Sequence, residues 1–110
     1  MSTTPLELRD NTFEAETRSG VTLAFFEDPW EQGCRREWKI IEHTAEVFGE
    51  DLRIGRCSVE KEPHLFERLG IRTIPTTLLL KNGREAERFV GLRHRGTLVR
   101  HLMKCMRRPS

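Results

Sequence analysis

The spacing of apolar residues changes several times along the chain, and each change marks an element. Residues 21–26, Val-Thr-Leu-Ala-Phe-Phe, form a nearly continuous apolar run of strand length, the pattern of a strand covered on both faces. From about 33 to 48 the period becomes helical. Cys34, Trp38, Ile41, Ala45 and Phe48 recur at steps of 4, 3, 4 and 3, making one stripe on a helix that Gly49 stops. Residues 52–59 return to partial alternation and predict a second strand. Pro63 suits the first turn of a helix running to Leu69, with Gly70 ending it. Residues 76–81 are β-branched and apolar. Asn82-Gly83 behind them is a strong hairpin signal, so residues 84–90 should pair back antiparallel. Gly91 bends the chain into a last helix over about 95–106. Upstream, Leu6-Glu7-Leu8 predicts a short extra strand, and Asp10-Asn11 should cap a short helix over 12–17 before Ser19-Gly20 turns the chain.

A parallel strand pair joined by a helix and extended by a hairpin predicts an α/β domain over residues 1–110, a central mixed sheet with helices on both faces. Apolar residues make up 36% and charged residues 33% of the 110, which suits a globular protein with a charged exterior. No stretch approaches the ~20 apolar residues of a membrane span, so no membrane partner is expected. The start, residues 1–8, lacks a basic segment followed by an apolar run, and the expected location is the cytoplasm.

Charge refines the picture. From Leu92 onward there are six of the 19 Lys and Arg and none of the 17 Asp and Glu, so a basic tail follows an acidic body. Arg100, Lys104 and Arg107 fall opposite Leu98, Leu102 and Cys105 or Met106 on a helix, the pattern of a solvated amphipathic face. No aromatic is interleaved with those charges, and nucleic acid is not the expected partner. The three cysteines, Cys34, Cys57 and Cys105, are too widely spaced for a metal-ligand pair, and an odd count does not make a secreted disulfide framework. Reduced thiols fit a cytosolic setting. Cys57 is expected mid-strand, and Cys105, near the end of the last helix, is expected to be partly exposed. His43, His64, His94 and His101 are scattered, with no carboxylate or cysteine at catalytic spacing. No phosphate loop, dinucleotide fingerprint or metal set is present, so no cofactor is expected.

Several of these pieces together resemble thioredoxins, over roughly residues 6 to 103. They are Asp10-Asn11-Thr12-Phe13, the strand ending Phe25-Phe26, Trp30, Cys34 at a helix start, Leu69-Gly70-Ile71-Arg72, Ile74-Pro75-Thr76, Leu80-Lys81-Asn82-Gly83 and Val90-Gly91. The resemblance implies a thioredoxin fold and a cis peptide bond before Pro75, with neighbouring backbone that binds extended substrates. It also implies that Trp30, Ile74, Pro75 and Gly91 outline a shallow apolar groove for a protein or peptide partner. This chain departs from the family at three places. Glu31 stands where the first motif cysteine would be, giving Glu31-Gln32-Gly33-Cys34. Ala24 stands where the family usually has a buried aspartate. Pro29 is one extra residue before Trp30.

Chemistry follows from those departures. Thiol–disulfide exchange needs an attacking thiolate and a resolving thiol, and only the second position is kept, at Cys34. Dithiol reductase activity is therefore not expected. Glu31, at an electropositive helix start, either caps the helix or mimics a thiolate toward a partner's cationic or amide group. Cys34, on the apolar stripe with Trp38 and Ile41, should be covered and act as a small hydrophobe. The other reading makes it the catalytic residue of a single-thiol oxidoreductase. The expected function is a protein-binding or chaperone-like accessory factor.

Overall fold

A computed structural model describes residues 4–107. Residues 1–3 of the amino-terminal segment read above, and Arg108 of the basic tail, lie outside them. The elements run β1 (Leu6–Glu7), α1 (Phe13–Thr17), β2 (Val21–Glu27), α2 (Gln32–Phe48), a 3₁₀ turn (Gly49–Asp51), β3 (Leu52–Ser58), α3 (Pro63–Leu69), β4 (Thr76–Lys81), β5 (Arg84–Val90) and α4 (Arg95–Arg107). The strands form one sheet in the order β1-β3-β2-β4-β5. β1 and β2 flank β3 in parallel, while β4 runs antiparallel to both β2 and β5. This is the mixed α/β sheet of the thioredoxin fold.

All seven residues of β2 are buried, as a central strand demands, and their alternation divides the core in two. Val21, Leu23 and Phe25 face a cluster with Cys34, Trp38 and Ile41 of α2 and Leu98, Leu102 and Cys105 of α4. Ala24 and Phe26 face the other side, where Phe13 of α1 and Leu65 and Phe66 of α3 pack. Helices thus cover both faces. On that second side, Gly55 of β3 lets Leu8 lie directly on the sheet. A Cβ at Gly55 would come within 2.8 Å of Leu8 Cγ.

The hairpin closes through Asn82 (φ 51) and Gly83 (φ 83), both left-handed, with Lys81 opposite Arg84. Two positive φ values in a two-residue loop match the twist of the flanking strands, which is why Asn-Gly selects it.

Three expectations are corrected. Asp10-Asn11 does not cap α1. The N-cap is Thr12, without a side-chain cap bond, because Asp10 is engaged elsewhere: its carboxylate pairs with Arg68 and its amide donates to Glu62. Cys105 is buried rather than partly exposed, since it continues the inward stripe of Leu98 and Leu102. His101 does meet a carboxylate, Glu87 Oε1 at 3.2 Å from Nδ1, across α4 and β5 and against the edge of Phe89.

Candidate functional site

Strand register gathers the predicted residues at one end of the sheet. Phe26 at the end of β2 lies opposite Thr76, which follows Pro75, and Thr76 lies opposite Val90, which precedes Gly91. Glu27 is likewise level with Ser58. The loop carrying Trp30 and Glu31, the start of α2 with Cys34, the Ile74–Pro75 segment and Gly91 therefore share that end. The Ile74–Pro75 peptide is cis, and Gly91 donates its amide to the Pro75 carbonyl at 2.8 Å.

Exposure differs sharply among these residues. Trp30 is 77% exposed. Asp28 holds its amide through Oδ1, and its indole N–H donates to Glu60 Oε1 at 2.9 Å. Ile74 is half-buried, and neither its amide nor its carbonyl forms a hydrogen bond with another described residue. Pro75 is itself buried between half-buried Ile74 and buried Thr76. Val90 and Leu92, on either side of half-buried Gly91, are exposed instead.

Glu31 is the N-cap of α2, with extended backbone and a carboxylate oxygen accepting from the Cys34 amide at 3.0 Å. The Gly33 and Cys34 amides hold this carboxyl below its ordinary range. Gly33 makes the arrangement possible, since a Cβ there would sit 2.7 Å from Glu31 Oε2. The capping reading of Glu31 is the one the geometry realises.

Cys34 has no exposed surface. Burial pushes its thiol up to about 11, and the Glu31 and Glu27 carboxylates push the same way. Cys57 belongs to the opposite core, where burial pushes it up to about 12, and the cysteines are free thiols. The two sulfurs are thus divided by the sheet.

The position read as the family's buried acid, Ala24, points away from Cys34 into the second core. A buried carboxylate does stand on the Cys34 side: Glu27, with its side chain 3% exposed. Arg56 of β3 grips it with Nε and Nη2, the latter 2.9 Å from Oε1, and stacks 4.4 Å over the Trp38 ring. A bidentate guanidinium is what permits a carboxylate at this depth. Glu27 also explains part of the Cys34 behaviour, because a negative charge nearby disfavours a thiolate. Parity could have revealed it, since Glu27 follows Val21, Leu23 and Phe25 at steps of two.

A second buried acid went unread. Glu37, three residues beyond Cys34 on α2, is 1% exposed, and both its oxygens accept from the Arg93 amide at 3.1 and 3.2 Å. Burial raises this carboxyl above its ordinary value despite that bond. Glu37 thereby ties the helix bearing Cys34 to the loop after Gly91. No group of three or more His, Cys, Asp or Glu among the described residues is placed to hold a metal ion. No helix among them is long and apolar enough to cross a membrane.

Comparison with known proteins agrees with this architecture. The family model described as Thioredoxin matches residues 4–104. Among curated proteins, the chain is 36% identical to a thioredoxin of Listeria monocytogenes over 87 residues, 79% of this chain and 84% of that one. A Bacillus subtilis thioredoxin is 34% identical over 89 residues, 81% and 86% of the two chains. Thioredoxin 1 of Synechococcus elongatus is 28% identical over 97 residues, 86% and 91% of the two.

Proposed function

The chain belongs to the thioredoxin family, and from that premise we propose that it binds extended segments of a protein partner without exchanging disulfides. It would serve as an accessory or chaperone-like factor. The observation that carries this reading is the Ile74 backbone, with both polar groups free of any described partner beside a buried proline. An extended peptide can satisfy such groups by main-chain pairing, as strands add to an open edge. Exposed Trp30, Val90 and Leu92 supply apolar contact around it, while Glu31 holds the start of α2 in place through its cap bond. A cytoplasmic setting accords with three unpaired thiols.

Disulfide exchange finds no support at this site. Exchange begins when a thiolate attacks a sulfur, and position 31 offers a carboxylate. The alternative, a single-thiol oxidoreductase acting through Cys34, requires that thiol to reach solvent and ionise. Full burial and two neighbouring carboxylates oppose both.

Two measurements test the proposal. In dithiothreitol-driven insulin reduction, the native chain should stay near background while Glu31→Cys gains activity. Native turnover that Cys34→Ser abolishes would establish the one-thiol enzyme instead. In parallel, a carboxymethylated, permanently unfolded protein should bind the native chain, and Trp30→Ala should weaken it by about tenfold. Absence of binding would refute the partner-holding role.

A further inference from the structure

The face of α2 and α4 turned away from the sheet carries a feature that the end with Trp30 and Ile74 does not use. Between the far end of α2 and the length of α4 lies a shallow groove of about 420 Å³. Its floor is apolar, made of Val47, Val99 and Met103, and its rim is cationic, made of Arg95, Arg100 and Arg107. Val47 is 60% and Met103 49% exposed. No acidic side chain lines it, and none of the three arginines forms an ion pair with a described residue.

The pattern on α4 is double. Leu98, Leu102 and Cys105 point into the core. Arg95, Val99, Met103 and Arg107 recur every four residues, a second stripe outside the core that is exposed except at half-buried Val99. That stripe has charge at both ends and hydrocarbon in the middle. At 1.5 Å per residue its arginines are about 18 Å apart, a little over three helical turns.

We propose that this groove docks an acidic amphipathic helix of a protein partner. Apolar residues of that helix would sit over Val47, Val99 and Met103, and its carboxylates would meet the arginines at the rim. Charge complementarity favours this occupant, because three guanidiniums with no ion-pair partner among the described residues surround a groove that no acid lines. The apolar floor favours a helix face over a nucleic acid, which would engage the arginines through phosphates and leave Val47 and Met103 wet. Methionine suits such a floor, since its flexible thioether adapts to differing side chains. Val47 lies 13 residues beyond Cys34 on the same helix, about 20 Å along its axis, so both partner segments could be held at once.

The test uses the full chain and a fluorescein-labelled helical peptide of about 18 residues, with leucines at helical spacing on one face and glutamates on the flanks. Anisotropy should show saturable binding about tenfold tighter than for the same peptide with lysine replacing glutamate. Met103→Glu, and separately Arg100→Glu with Arg107→Glu, should each weaken it by about tenfold or more, while Trp30→Ala leaves it unchanged. All these positions are exposed, and circular dichroism of each variant verifies the fold. Amide shifts on titration should concentrate at Val47 and at residues 99–103. Equal affinity for a scrambled peptide, indifference to Met103→Glu, or tighter binding of a single-stranded oligonucleotide or anionic vesicles would overturn the proposal.

Discussion

Alkylation of Cys34 by iodoacetamide offers a quantitative check on the site. Only the thiolate reacts, so the native-state rate scales with its ionised fraction. With the thiol pushed up to about 11, that fraction is about one in ten thousand at pH 7. An ordinary cysteine near 8.5 is about 3% ionised at the same pH, so the ionisation effect alone slows Cys34 by about 300-fold. Its lack of exposed surface slows the reaction further. The experiment follows labelling at each cysteine by peptide mass spectrometry, in buffer and in urea, between pH 7 and 10. In buffer the Cys34 rate should rise tenfold per pH unit across that range. In urea it should level off past the ordinary cysteine value. Glu31→Gln should speed labelling in buffer, because the carboxylate is one of the groups raising the thiol. A native rate at pH 7 within about tenfold of the urea rate would refute the reasoning. A plateau near neutral pH in buffer would do the same.

Three further outcomes follow from buried polar groups. Arg56→Ala strands the Glu27 carboxylate and should cost about 2 kcal/mol in urea unfolding, less than a fully buried pair because Arg56 is 39% exposed; a cost near zero would mean Glu27 is solvated. Glu37 has its carboxyl raised by burial, so its contribution is greatest when protonated and falls as pH rises past its unfolded value near 4.3. Glu37→Gln should therefore gain stability relative to the native chain between pH 4 and pH 7, and unchanged differences at the two pH values would contradict the assignment. The Thr22 and Thr77 hydroxyls are buried without hydrogen-bond partners, so Thr22→Val and Thr77→Val should each raise stability by about 1 kcal/mol, and thermal unfolding that falls instead would argue against it.

Local pattern was a good guide wherever one element's periodicity or turn chemistry decided the outcome. The stripe Cys34–Trp38–Ile41 fixed which side of α2 faces inward, and Asn82-Gly83 fixed the hairpin and its register. Glycines at 49 and 70 ended their helices in conformations with positive φ. The partners of charged residues were not legible, because they lie far apart in sequence. Glu27 meets Arg56 across 29 positions and Glu37 meets Arg93 across 56, so nothing local names either partner, although strand parity does turn Glu27 inward. Asp10 looked like a cap for the same reason: its attraction to Arg68 depends on α3 packing beside α1. Strand parity sends residue 24, where the resemblance puts a buried aspartate, to the side opposite Cys34, while the buried acid on the Cys34 side is Glu27.

Peroxide and similar oxidants turn neighbouring thiols into a bridge, and a protein whose grip depends on the reduced pair loses it under stress. Here every cysteine sulfur is enclosed, and the outward-facing group at the head of α2 is a carboxylate, which such oxidants leave alone. The surface around Trp30 would therefore keep the same thiol chemistry in a resting cell and in an oxidatively stressed one.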